Sequence, residues 1–142
     1  MQLEIQNPLT VEAWNERLFN FSEANIFHTS NWAKVLSKTY GYIPRYIVSF
    51  NEGKLASLMP LMHINSFITG KRGVSLPFTD VCPVLAVKDE DKRILWGKAL
   101  ELAEVYQWKY IETRSGLFFD STIPVSTQFY EHQVNLQSGP EV

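Results

Sequence analysis

The sequence is organised around residues 70–85, which read GKRGVSLPFTDVCPVL. A short apolar piece, Val74–Leu76, precedes Pro77, which has no backbone N–H for a β-ladder, so a strand should end there. Pro83 favours an extended conformation at the residue before it, and a second strand begins at Val84. We therefore predict two strands joined by a stiff loop.

This loop presents an aromatic ring, a hydroxyl and a carboxylate in succession, from Phe78, Thr79 and Asp80. Loops held by rigid elements often carry binding groups. Alternatively, Asp80 accepts hydrogen bonds from backbone amides and caps a tight turn. The residue types alone leave both interpretations open.

The composition is that of a single globular domain. The chain has 142 residues, of which 45% are hydrophobic and 13% aromatic, enough for a substantial core. The formal net charge is −2, so no global basic patch favours nucleic acid or anionic lipid. The single cysteine excludes an internal disulfide and indicates the cytoplasm.

The sequence contains few familiar targeting, metal-binding or catalytic motifs. No apolar run approaches the roughly 20 residues of a membrane span, and the N-terminus lacks a signal-peptide pattern. The scattered histidines do not give zinc-ligand spacing with Cys82. The chain has neither a GxSxG nucleophile elbow nor a P-loop, and no neighbouring residue supports a cysteine–histidine dyad.

Two helices precede the first hairpin. Apolar residues at helical spacing predict a helix over Val11–Phe21 with Thr10 as its N-cap. A second helix should begin after the N-cap Ser30 and end at Gly41. His28 lies just before this cap, where it either faces a cleft or is a hydrogen-bonded structural histidine, and we favour the second.

Residues 44–67 predict a long β-hairpin at the centre of the domain. The segment Asn51–Lys54 contains glycine and predicts the turn. The return strand is almost wholly apolar, as expected for burial on both faces. Pro60 interrupts this strand and predicts a bulge or bend, which would open a gap for a ligand.

The second half predicts a helix between strands. Asp89 or Asp91 should cap a helix that ends near Tyr106, and residues 109–114 form the next strand. This strand–helix–strand order predicts a crossover with parallel pairing. Alternating residues predict a half-exposed final strand over residues 128–136.

The basic residues near the loop form one candidate cluster, namely Lys71, Arg72 and Arg114. Glu112 and Arg114 lie two apart on one predicted strand and therefore on one face. They either pair with each other, or Arg114 binds a carboxylate or phosphate.

Six short phrases occur in an order that resembles a known family: Ile26–Ala33, Tyr40–Tyr42 with Pro44, Leu58–Leu61, Ser75–Asp80, Tyr110–Arg114 and Tyr130–Leu136. This order resembles the N-terminal half of Fem-type (FemAB-like) aminoacyl- and peptidyltransferases of the acyl-CoA N-acyltransferase superfamily. Those proteins consist of two tandem GNAT-like (acetyltransferase-like) domains. The phrases cover nearly the whole chain.

The resemblance implies an α/β fold with a mixed, mostly antiparallel GNAT-like sheet flanked by helices and splayed near Pro60. Residues 1–136 would be one GNAT-like domain, and residues 137–142 a linker or truncated end. A second GNAT-like domain of the same parent chain would follow.

The resemblance also implies a function. The two halves would share a groove for a small-molecule or peptide acceptor, and would form an amide bond on a cell-wall or other cell-surface precursor. Asp80 would be the catalytic or substrate-orienting acid, and the substrate-binding residues would be Lys71, Arg72, Phe78, Thr79 and Arg114. The donor of the full-length protein would be aminoacyl-tRNA or acyl-CoA.

Two departures from the family pattern lead to an alternative. Leu36 stands where some members carry a lysine that binds nucleotide phosphate. The coenzyme A pyrophosphate loop, [Q/R]-x-x-G-x-[G/A], is missing, so we expect no coenzyme A binding by this chain alone. The alternative is a non-catalytic GNAT-like binding or scaffold domain. Without a second domain, an apolar face around Phe78, Phe118 and Phe119 should favour self-association.

Overall fold

The computed structural model describes residues 2–114, 123–128, 130 and 139. The strands are β1 Gln2–Gln6, β2 Ile43–Pro44, β3 Tyr46–Asn51, β4 Lys54–Met59, β5 Met62–Ser66, β6 Gly70–Ser75, β7 Leu85–Ala86 and β8 Ile111–Thr113. The α-helices are α1 Trp14–Arg17, α2 Ser30–Tyr40 and α3 Asp89–Tyr106. Single 3-10 turns cover Leu18–Asn20 and Ile26–His28.

The strands form two four-stranded sheets whose orders are β1-β3-β4-β7 and β2-β5-β6-β8. Among the described strands, every pair is antiparallel except β6 with β8. β4 and β5 follow each other along the chain but belong to different sheets, and Pro60 lies between them. The predicted irregularity at Pro60 is therefore confirmed as the point where the return strand changes sheet.

The central hairpin is confirmed at its turn. β3 and β4 pair up to Asn51 opposite Lys54. Glu52 and Gly53 have φ angles of 50° and 77°, so both are left-handed. Two such residues form the type I′ turn whose twist matches that of paired strands.

The first helix is shorter than predicted. α1 begins at Trp14, after Ala13 in the left-handed conformation (φ 53°), and gives way to a 3-10 turn. The prediction that Thr10 caps it is wrong, because the Thr10 hydroxyl donates to the carbonyl of Asn7 at 3.1 Å. The apolar face was predicted correctly, since Trp14, Leu18 and Phe21 are buried.

The cap of α2 is shifted by one residue from the prediction. The Thr29 hydroxyl accepts from the backbone N–H of Trp32 at 3.4 Å and is the N-cap. Ser30 instead donates from its backbone and its hydroxyl to the amide oxygen of Asn15. The predicted end at Gly41 is confirmed by its left-handed φ of 70°.

α3 has the predicted extent, but neither predicted aspartate caps it. Lys88 occupies the N-cap without a side-chain hydrogen bond, and Asp89 in the first turn pairs with Lys92 at 2.8 Å. β8, the strand after α3, pairs in parallel as predicted, with β6 as its partner. β7, the strand before α3, instead pairs with β4 in the other sheet. The final strand predicted over residues 128–136 lies almost entirely outside the described residues.

The core consists of two clusters on opposite faces of the sheets. Tyr46 and Val48 pack with residues of α1 and α2, whereas Ile47 packs with residues of α3. In β4, Leu58 likewise belongs to the cluster with α1 and α2, and Met59 to the cluster with α3. The strands are thus buried on both faces, which explains the unbroken apolar return strand. Among the described residues, no helix is long and apolar enough to cross a membrane.

Candidate functional site

The loop between β6 and β7 has a backbone conformation that its residues disfavour. Leu76 and Phe78 have φ angles of 38° and 62°, and neither is a glycine. Such conformations cost of order 1–3 kcal/mol each and persist only where the surroundings impose them. Strain of this kind is concentrated at functional sites, which makes the loop a candidate.

Hydrogen bonds within the turn and from Arg114 hold the loop. The Thr79 hydroxyl donates to the carbonyl of Leu76 at 2.8 Å and closes the turn. The Arg114 guanidinium donates to the carbonyl of Thr79 at 3.1 Å. The backbone N–H of Cys82 donates to the carbonyl of Arg114 at 2.7 Å. The segment just after β8 therefore fixes the loop.

The turn separates its side chains into two groups. Leu76 and Thr79 are buried, whereas Phe78 is 58% exposed. The Phe78 ring stacks on Tyr40 with a centroid distance of 4.7 Å, and Tyr40 stacks on Tyr42 at 5.4 Å. The result is a row of three partly exposed aromatic rings that joins the loop to the end of α2.

The Asp80 carboxylate lies at the exposed end of this loop. Within the part of the chain that the structure describes, it forms no hydrogen bond or ion pair, and the Thr79 hydroxyl closes the turn in its place. Nothing described therefore ties the Asp80 carboxylate to the loop backbone. It is available to solvent or to a ligand.

The three predicted basic residues have different contacts. Arg114 pairs with Glu112 at 2.8 Å, as one of the two sequence interpretations expected, and also holds the loop. Lys71 donates to the side chain of Gln107 at 3.5 Å, and Arg72 donates to the hydroxyl of Thr69. Because adjacent strand residues point to opposite faces, Lys71 and Arg72 cannot share one face of the sheet.

A buried histidine supports the second half of the loop. His28 Nε2 lies 2.9 Å from the carbonyl oxygen of Pro83, and Nδ1 lies 3.1 Å from the backbone N–H of Asn25. A carbonyl only accepts, so Nε2 carries the hydrogen and Nδ1 accepts from Asn25. The Asn25 amide also donates to the carbonyl of Val81 at 3.2 Å. The prediction of a hydrogen-bonded structural histidine is confirmed.

The same histidine lies 3.8 Å from the sulfur of Cys82, but the pair lacks the charge state of a nucleophilic dyad. Burial raises the pKa of the Cys82 thiol to about 12. Burial lowers the pKa of His28, although hydrogen bonds to Pro83 and Asn25 oppose this. Because a thiolate is the reactive species, Cys82 is an inert core residue.

Sequence reasoning missed the row formed by Tyr40, Tyr42 and Phe78 and the link between His28 and Pro83. The His28 link joins residues 55 positions apart, so no local pattern could indicate it. The phrase Tyr40-Gly41-Tyr42 was a usable signal, because two aromatic residues flank a helix end there.

The first turn of α3 is acidic. Helix N-termini bind phosphate through free N–H groups and a partial positive charge. Here the first turn carries three carboxylates, from Asp89, Glu90 and Asp91. Two of them pair with lysines, Asp89 with Lys92 at 2.8 Å and Glu90 with Lys88 at 3.9 Å, so the acidic turn is partly neutralised.

Comparison with known proteins gives a fold but no family. No protein-family model matches the chain, and no curated protein matches it. The chain is similar to a ribosomal-protein-alanine N-acetyltransferase from Brucella melitensis biovar Abortus 2308, with a TM-score of 0.56, 9% identity and coverage of 95% of this chain and 99% of that chain. An aminoglycoside antibiotic 6'-N-acetyltransferase from Acinetobacter haemolyticus gives a TM-score of 0.52 and 8% identity, covering 95% and 100%.

FemX is a third similar structure, with a TM-score of 0.50 and 14% identity. The match covers 76% of this chain and 25% of FemX, so the chain spans about a quarter of that protein. Together these similarities show that the chain has a GNAT acetyltransferase fold, as the sequence predicted. At such identities they show the fold alone.

Proposed function

We propose that this chain is the N-terminal half of a Fem-type acyl or aminoacyl N-transferase and forms one wall of its acceptor groove. The substrate would be an amine on a cell-wall or other cell-surface precursor. The observation that carries the proposal is the exposed Asp80 carboxylate, which has no described partner and follows a strained turn beside an aromatic row.

The chemistry of amide formation suits these groups. The acceptor amine must lose a proton, and its nitrogen then attacks the carbonyl carbon of the donor ester or thioester. The C–O or C–S bond breaks, and the leaving group takes up a proton. Asp80 would orient the ammonium group and accept its proton. The faces of Phe78 and Tyr40 attract a cation through their ring quadrupoles.

The other predicted residues would act around this acid. Thr79 and Arg114 would fix the loop rather than contact the acceptor, since their described hydrogen bonds hold its backbone. Lys71 or Arg72 would bind an anionic part of the acceptor. Aminoacyl-tRNA or acyl-CoA would be bound largely by the second GNAT-like domain of the parent chain.

A non-catalytic GNAT-like scaffold domain is the second candidate. The missing coenzyme A pyrophosphate loop favours it for the isolated chain. A scaffold domain would keep the fold and need no free acid at the loop.

The deciding experiment replaces Asp80 in the full-length parent protein. Asp80→Asn removes the charge but keeps the shape, so it should leave the melting temperature nearly unchanged. Transfer to an amine acceptor should fall about 100-fold or more if Asp80 is the general base. Glu12→Gln, which removes an exposed carboxylate from another part of the chain, is the control and should keep full activity. Full activity of a folded Asp80→Asn protein would exclude the proposed role and favour the scaffold.

A further inference from the structure

A second polar cluster lies on one face of the sheet formed by β2, β5, β6 and β8. His63 in β5 stands opposite Ile43 and Gly73, and Lys71 in β6 stands opposite Asn65. Residues directly opposite each other share a face, and so do residues two apart on one strand. His63 and Lys71 therefore project from the same face.

Two aromatic residues at the end of α3 cover part of this face. Tyr106 and Trp108 stack on each other at 5.6 Å, and His63 lies 5.1 Å from the Tyr106 ring and 5.9 Å from the Trp108 ring. The Trp108 indole packs directly on Gly73, where an added Cβ would lie 2.4 Å from it. Glycine is thus required for this approach, and the indole holds His63 in place.

The hydrogen bond from Trp108 determines which nitrogen of His63 is protonated. The indole Nε1–H donates to Nδ1 of His63 at 2.6 Å. Because the indole nitrogen only donates, Nδ1 is the acceptor and the hydrogen of the neutral ring is on Nε2. Burial, followed by the charges of Arg45 and Lys71, lowers the pKa of His63. His63 thus presents a neutral N–H donor that has no partner among the described residues.

Arg45 adds a guanidinium group to the same cluster. Its Cζ lies 5.4 Å from the centroid of the Tyr106 ring, in a cation–π contact. Its Nε is buried without a hydrogen-bond partner among the described residues. In that part of the chain no carboxylate forms an ion pair with Arg45 or Lys71. A buried donor without a partner is costly unless a ligand completes it.

A purely structural role for these charges accounts for only part of the arrangement. The last turn of α3 contains no basic residue, so Arg45 and Lys71 could balance the negative end of its dipole. This would not use the Nε of Arg45 or the Nε2–H of His63. Both groups are donors, and neither has an acceptor in the part of the chain that the structure describes.

We propose that Arg45, His63 and Lys71 bind a phosphate group of a small molecule. A guanidinium fork, an ammonium group and a neutral imidazole N–H match an oxyanion with several acceptor oxygens. The net charge of −2 and the pI of about 5.9 disfavour a long polyanion as the ligand. The site shares Lys71 with the proposed acceptor groove but needs neither Asp80 nor its loop.

The test uses inorganic pyrophosphate as the probe with the 142-residue chain at constant ionic strength. The indole N–H signal of Trp108 is followed by 1H–15N NMR and assigned with Trp108→Phe. Binding at the Nε2–H of His63 should shift this signal saturably, with a Kd of about 1 mM or lower. Arg45→Gln should weaken binding by about tenfold or more, the loss expected for a charge-assisted hydrogen bond.

Arg93→Gln, which removes the same charge from an exposed position in α3, is the matched control and should leave the Kd unchanged. If Arg45→Gln fails to fold, Lys71→Gln provides the same comparison. A Trp108 signal that does not saturate, or equal affinity in wild type and in a folded variant, would overturn the site. Tighter binding of a short oligoribonucleotide than of pyrophosphate through these residues would overturn the choice of a small-molecule ligand.

Discussion

Leu76 and Phe78 show how single residues in this protein are held in conformations that they disfavour. Both have positive φ angles, and the surrounding hydrogen bonds of Thr79 and Arg114 impose them. The result is that a buried leucine and an exposed phenylalanine stand two residues apart. A relaxed strand would place both side chains on the same face.

The Thr79 hydroxyl should therefore stabilise the loop measurably. Thr79→Val keeps the shape of the side chain but leaves the Leu76 carbonyl without its donor in a buried site. We expect a loss of about 1–3 kcal/mol in the free energy of unfolding. Urea denaturation measures this loss, and Thr79→Ser, which retains the hydroxyl, should lose clearly less. Equal stability of the wild type and the valine variant would show that the hydroxyl does not hold the turn.

Cys82 should be inert in the native protein. Its pKa rises from 9.0 to about 12 on burial, so its thiolate fraction at pH 8 falls about a thousandfold relative to an exposed thiol. Iodoacetamide should alkylate it rapidly in urea and very slowly without urea. Because the folded pKa is the higher one, this group's contribution to stability is complete below pH 9.0 and declines as the pH rises toward 12. Rapid alkylation of the native protein at pH 8 would contradict this burial.

At the scale of elements, the split hairpin determines the shape of the domain. β4 and β5 would form one continuous strand without Pro60, and β6 and β7 would form another without the loop between them. Both strands are interrupted between the same two sheets. The polypeptide can leave the ladder at Pro60 and Pro77 because proline contributes no N–H to it. The strained loop occupies this interruption.

The turn of the hairpin provides a test at this scale. Gly53 has a φ of 77° and no atom within 4 Å of an added Cβ, so Gly53→Ala introduces only backbone strain. We expect it to cost about 1 kcal/mol of unfolding free energy. Glu52→Asn should instead raise the urea midpoint, because Asn-Gly is the preferred type I′ sequence. A stabilising Gly53→Ala would argue against the type I′ turn.

At the scale of the whole molecule, the chain shares the GNAT fold with proteins of different length. The similar acetyltransferases from Brucella and Acinetobacter are covered almost completely by this chain, whereas FemX is covered over a quarter of its length. A shared fold does not imply a shared function.

We expect the isolated chain not to bind acetyl-coenzyme A at tens of micromolar, an ordinary range for enzyme substrates. The coenzyme A pyrophosphate loop, [Q/R]-x-x-G-x-[G/A], is missing from the sequence. Isothermal titration calorimetry with pure chain measures this directly. Tight stoichiometric binding of acetyl-coenzyme A would indicate a stand-alone acetyltransferase and contradict the half-enzyme proposal.

The sequence alone determined the features whose signals are local. It predicted the hairpin turn from the glycine in Asn51–Lys54, an irregularity from Pro60 and the end of α2 from Gly41, whereas the division of the strands into two sheets came from the structure. The N-caps of α2 and α3, Thr29 and Lys88, were not predicted. Several neighbouring hydroxyl or carboxylate residues could each occupy an N-cap, and packing decides which residue does. The predicted role of Asp80 remains a prediction.

Only the tertiary structure decided what surrounds the candidate sites. His28 reaches Pro83, Tyr40 reaches Phe78, and Trp108 orients His63 across long separations in sequence. Such contacts depend on which faces of distant elements meet, and residue types along the chain do not encode this locally. The pKa values also depend on the tertiary structure. Burial raises the pKa of the Cys82 thiol, and burial with the charges of Arg45 and Lys71 lowers the pKa of the His63 imidazole.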